Sequence, residues 1–119
     1  MINCFPFEVH FVNGAARGSP EQMYQVIADF SSPAFSSYKA LFDKYGAAEG
    51  LLSLVDLTAF IIEERAPTLL DHLDFDEEGY QLDMHVDSDA ALQVFRSAAC
   101  PVFQNLDELT KYLIRIVGR

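Results

Sequence analysis

Tryptophan is absent, cysteine occurs only twice, and basic residues are scarce: 8 Lys and Arg stand against 18 Asp and Glu, for a formal net charge of −10. That imbalance argues against nucleic acid and anionic membranes as partners, because their phosphates would be repelled. Nor are the few basic residues interleaved with aromatics in the way nucleic-acid readout needs. The two cysteines, Cys4 and Cys100, lack CxxC spacing, so they suggest neither a zinc site nor a disulfide framework. Two free thiols in a reducing compartment are expected. No apolar run approaches the ~20 residues that span a bilayer. The opening residues lack the basic region, unbroken apolar run and cleavage site of a signal peptide. A cytoplasmic protein is the expectation.

What is present is enough to fold. Half of the 119 residues are hydrophobic and ten are Phe. A chain of this length buries about two-thirds of its unfolded surface, so a single domain over 1–119 is expected. Phe7 to Val12 alternates as a half-buried strand, with Phe7, Val9 and Phe11 on one side and Glu8, His10 and Val12 on the other. Ser19, Pro20 and Gln22 read as a helix start, with Met23, Val26, Ile27 and Phe30 as its inward stripe. Phe35, Tyr38, Leu41, Phe42 and Tyr45 recur at helical spacing up to Gly46.

Ser53 with Asp56 opens a helix striped by Leu54, Leu57, Ile61 and Ile62, and Pro67 opens a further turn. Tyr80 to Val86 alternates strictly after a tight turn at Glu77-Glu78-Gly79. Asp87 or Ser88 caps a helix striped by Ala91, Val94, Phe95 and Ala98, which Pro101 should end. Asn105 with Glu108 caps the last, whose stripe is Leu106, Leu109, Leu113, Ile116 and Val117. The sum is α+β: a small antiparallel sheet of two to four strands packed against about five helices.

The acids are not spread evenly. Asp71 to Asp89 holds eight of the 18, with no Lys or Arg. Asp74, Asp76, Glu78 and Gly79 fit the first, third, fifth and sixth places of an EF-hand loop, but His85 stands where the bidentate Glu belongs and a strand replaces the exiting helix. Asp83, His85 and Asp87 share one side of a strand, where successive ligands stand about 7 Å apart. One ion would need a further ligand from elsewhere. No Ser or Cys sits in a GxSxG elbow, and the glycines of the Gly14–Gly18 loop fit neither phosphate-binding pattern. The residues therefore point to no catalytic group, no metal and no cofactor, and the protein is not expected to be an enzyme. A solvated acidic turn is what this stretch offers by itself.

The second half carries a family resemblance. Glu49-Gly50, a helix ending Glu63-Glu64-Arg65-Ala66-Pro67, then Leu73-Asp74-Phe75-Asp76-Glu77-Glu78-Gly79, a strand, and Ser88-Asp89 opening a helix together resemble the immunity protein 51 family of bacterial polymorphic toxin systems. The similarity covers about residues 46–116. Leu51 and Leu52 follow Gly50, where the family usually has Asn-Gly-Tyr, and its Trp is missing. The resemblance implies a cytoplasmic protein, monomer or homodimer, that binds and neutralises a cognate toxin. Many such toxins are basic, and an acidic patch steers them in. The partner-binding residues would be Asp74, Asp76, Glu77, Glu78, Asp83, His85 and Asp87, with Phe75 or Tyr80 as aromatic anchors. The competing readings are a regulatory interaction domain unrelated to toxins and a small metal-dependent enzyme built on His85 with Asp83 or Asp87.

Overall fold

Four stretches that alternate with period two form the sheet of the computed structural model, which describes residues 4–18 and 22–118. They are β1 (Glu8–Phe11), β2 (Tyr24–Asp29), β3 (Leu73–Glu78) and β4 (Gln81–Val86). All neighbours run antiparallel in the order β1-β2-β4-β3. The α-helices are α1 (Ser36–Lys44), α2 (Leu54–Arg65), α3 (Asp89–Ala98), α4 (Cys100–Gln104) and α5 (Leu106–Val117). Short 3-10 turns occupy Gly14–Arg17, Pro33–Phe35 and Pro67–His72. The expected α+β fold is what the chain adopts.

The helix starts follow from their caps. Ser53 Oγ accepts the Asp56 N–H, Ser88 Oγ accepts the Ala91 N–H, and Asn105 Oδ1 accepts the N–H groups of Asp107 and Glu108. One apolar face of the sheet, with Val26, Ala28, Leu82, Met84 and Val86 all buried, receives the helices. Leu57, Ile61 and Ile62 of α2, Leu92 and Phe95 of α3, and Leu109 and Leu113 of α5 complete that core. Aromatic rings fill one end: Phe7 lies 4.9 Å from Phe103 and 5.5 Å from Phe95, and Phe30 lies 5.0 Å from Phe42. The Tyr38 hydroxyl donates to the Phe103 carbonyl at 2.6 Å, giving its buried oxygen a partner.

Several expectations are corrected. The segment read as a helix on Met23, Val26, Ile27 and Phe30 is strand β2 (Ser19 and Pro20 lie outside the described residues). Its residues satisfy both periods, and pairing with β1 and β4 on either side selects the extended form. Glu77 and Glu78 belong to β3, and the turn is Gly79-Tyr80, where Gly79 takes a φ of 61° as the first position of a two-residue hairpin turn requires. Pro101 sits in the first turn of α4, where its missing N–H costs nothing, and so begins a helix after α3 has ended. Val94 is exposed, and Leu92 takes its place in the buried stripe of α3.

The two cysteines form a disulfide, with Cα atoms 5.0 Å apart across 96 residues of sequence. Free thiols were expected because spacing says nothing about a pairing this distant. Cys4 enters the core beside Phe7, and Cys100 is fully buried at the start of α4, so the fold itself brings them within bridging distance. The expectation of a reducing compartment thereby loses its support.

Candidate functional site

Alternation gives the sheet a second face, and its residues follow from the register. One row across the strands is Glu8, Ile27, Asp83 and Asp76; the next is His10, Gln25, His85 and Asp74; a third is Asp29, Gln81 and Glu78. None of these side chains is buried, and Glu8, His10, Asp29, Asp74, Asp76 and Glu78 are exposed. Six are acids, two are histidines, and none is Lys or Arg. The Lys and Arg residues between positions 22 and 118 all lie on α1, α2, α3 and α5. The open face thus carries carboxylates without Lys or Arg, whereas acids and cations are mixed on the helices.

The expected site residues divide. Asp74, Asp76, Glu78, Asp83 and His85 come together on the open face. Asp76 stands directly across from Asp83, and no cation lies between them in the sheet. Like charges placed opposite each other oppose strand pairing. Gln25 eases the arrangement by donating from Nε2 to Asp83 Oδ2 at 3.0 Å, while Asp83 Oδ1 is buried and has no hydrogen-bond partner among the described residues.

Glu77 points the other way. Its Oε1 accepts from Ser53 Oγ at 2.7 Å and Val55 N at 3.3 Å, and its Oε2 accepts from Leu54 N at 2.9 Å. It supplies the first turn of α2 with a carboxylate, where the orphan N–H groups and the helix dipole favour negative charge. Asp87 lies past the end of β4 and is also engaged: His72 Nδ1 is 2.7 Å from its Oδ2, and its own N–H bonds the His72 carbonyl.

Neither aromatic candidate stands free on the open face. Phe75 belongs to the inner row Val9, Val26, Met84 and Phe75, half-buried against the core. Tyr80 bonds Asp43 through its hydroxyl and carries Lys39 Nζ 4.8 Å above its ring. That hydrogen bond holds the Asp43 carboxyl below its ordinary value and pushes the Tyr80 phenol above its own. Tyr24, at the other end of the sheet, bonds Asp89 at 3.2 Å. Burial is the first cause raising its phenol, and the Asp89 bond adds to it.

Chemically the open face can attract and hold positive charge. Among the described residues no three His, Cys, Asp or Glu side chains converge as a metal site needs. The depression between α2 and α3 is lined by Arg65, Ala66, Gln93, Val94, Ser97 and Ala98, without a carboxylate or imidazole. Among the described residues no helix is long and apolar enough to cross a membrane.

Sequence reasoning missed the middle of the face. Helical spacing over Met23 to Phe30 hides the pairing by which Gln25, Ile27 and Asp29 join the hairpin acids in one sheet surface. The signal was there: Tyr24, Val26, Ala28 and Phe30 alternate with Gln25, Ile27 and Asp29, around a β-branched pair. The chain matches no family model, no curated protein and no solved structure.

Proposed function

We propose that this protein binds and neutralises a basic protein toxin, in the manner of the immunity protein 51 family that residues 46–116 resemble, and that the open face of its sheet makes the contact. The observation that carries the reading is the uncompensated charge of that face. Asp76 and Asp83 face each other across two strands with no cation on any strand of the sheet. An arrangement that opposes the sheet's own pairing is what a binding surface keeps and a purely structural one discards. The family part of the reading rests on the Leu73–Gly79 motif and its distance to Ser88-Asp89. No chemistry is assigned to the protein; its action is occlusion.

Steering by such a face raises association rates by roughly ten- to a thousand-fold at low ionic strength. The test pairs the purified chain with the C-terminal domain of a multidomain toxin encoded beside it. Asp76→Lys with Asp83→Lys should slow association by about tenfold or more at low salt and much less at high salt. Equal on-rates for wild type and the double variant would dismiss this face as the contact. Failure of the two wild-type proteins to associate would dismiss the toxin itself.

A further inference from the structure

We infer that the free edge of β3 takes an added strand from the partner, a segment in which basic and aliphatic residues alternate; this rests on the acidic-face reading and names how that face is engaged. Among the described residues, the sheet order leaves β3 with one unpaired side. The register says which backbone groups lie there. The two-residue turn makes Glu78 and Gln81 a mutually bonded pair, so every second residue back along the strand, Asp76 and Asp74, also turns its N–H and C=O toward β4. The Asp87 N–H bond to the His72 carbonyl continues the same phase. Leu73, Phe75 and Glu77 therefore direct their backbone groups outward. Glu77 confirms the direction, because its N–H bonds the neighbouring Asp76 carboxylate at 2.9 Å and not β4. An edge of this kind is a template for another chain.

The side chains select the occupant. On the open face β3 presents Asp74, Asp76 and Glu78, all exposed; on the inner face it presents Leu73 and Phe75, both half-buried. A strand laid against it places alternate residues opposite the carboxylates, and the residues between them extend the row formed by Val9, Val26, Met84 and Phe75. Lys or Arg suits the first set and Val, Ile or Leu the second. A second copy of this chain is disfavoured. Antiparallel pairing of β3 with β3 would set acids opposite acids, and parallel pairing would set acids opposite Leu73 and Phe75. The opposite edge, β1, is only four residues long and offers a single acid, Glu8.

The probe is an acetylated, amidated (Lys-Val)4 peptide, compared with the same peptide methylated at every backbone nitrogen. The two carry equal charge, but only the first can pair as a strand. Binding to the full chain is measured by fluorescence polarisation at low salt, and exchange of the Phe75 amide proton by NMR. The unmodified peptide should bind at least tenfold tighter and slow Phe75 exchange at least tenfold. Equal affinities with unchanged exchange would overturn strand addition and leave the acidic-face reading standing. Tighter binding without protection of Phe75 would place the peptide elsewhere and also overturn it. Binding of neither peptide would overturn both.

Discussion

Replacing Glu77 by Ala separates two roles that the sequence does not distinguish, partner contact and helix cap. The carboxylate bridges β3 to the first turn of α2 through Ser53 Oγ and the N–H groups of Leu54 and Val55. Bonds to a charged acceptor contribute about 1.5–3 kcal/mol each when fully shielded. This site is only half-buried, so water replaces part of what is lost. Ser53 also keeps its own bond to the Asp56 N–H, so the helix start is not left bare. Loss of an N-terminal cap typically costs about 0.5–2 kcal/mol, and loss of a negative charge at a helix N-terminus about 0.3–1 kcal/mol.

Together these place Glu77→Ala at about 1–3 kcal/mol of destabilisation, or about 4–12 °C in Tm for a domain of this size. Glu77→Gln, which keeps an acceptor without the charge, should fall between Ala and wild type. Glu78→Ala is the control: one residue on, exposed on the other face, it should stay within about 0.5 kcal/mol. Thermal unfolding followed by circular dichroism reads all three. Equal Tm values for the Glu77 and Glu78 alanine variants would refute the cap, and with it the exclusion of Glu77 from the binding face.

Three further outcomes follow. Protein refolded in air and then denatured without reductant should show no reactive thiol; closing a loop of about 100 residues is worth up to about 4.7 kcal/mol, so reductant should lower Tm by 10 °C or more, and two titratable thiols in the air-refolded protein would dismiss the bond. The Tyr80–Asp43 bond depresses the Asp43 pKa, so its stabilisation is present above the ordinary value of 3.8 and lost as pH falls through the lower folded value; Tyr80→Phe should flatten urea-measured stability over that acid range, and an unchanged pH slope would count against the pairing. Tyr38→Phe removes the phenol that bonds the Phe103 carbonyl in the core and should cost about 1–3 kcal/mol by urea unfolding; a neutral result would mean the carbonyl finds another donor.

What was legible in the sequence was local. Ser53, Ser88 and Asn105 mark helix starts because a cap acts within three residues, and the β4 alternation is read directly from its side chains. The β2 strand was not legible. Met23, Val26, Ile27 and Phe30 satisfy a helical stripe, and only the neighbours on both sides decide against it. The same holds for the site. That Asp74, Asp76, Glu78, Asp83 and His85 share a face follows from one hairpin, but Glu8, Gln25 and Asp29 join them only through long-range pairing. Glu77 looked like its neighbours because its role depends on a helix start more than 20 residues earlier, at Ser53. The Cys4–Cys100 link lies beyond any local pattern.

That link makes a ring of almost the whole polypeptide. A protease cut in the exposed Ala48–Leu51 connection, between α1 and α2, would leave each piece with one of the two sulfurs. Under denaturing conditions the nicked molecule would keep its size until reductant is added, and only then separate into a fragment carrying β1 and β2 and another carrying the hairpin.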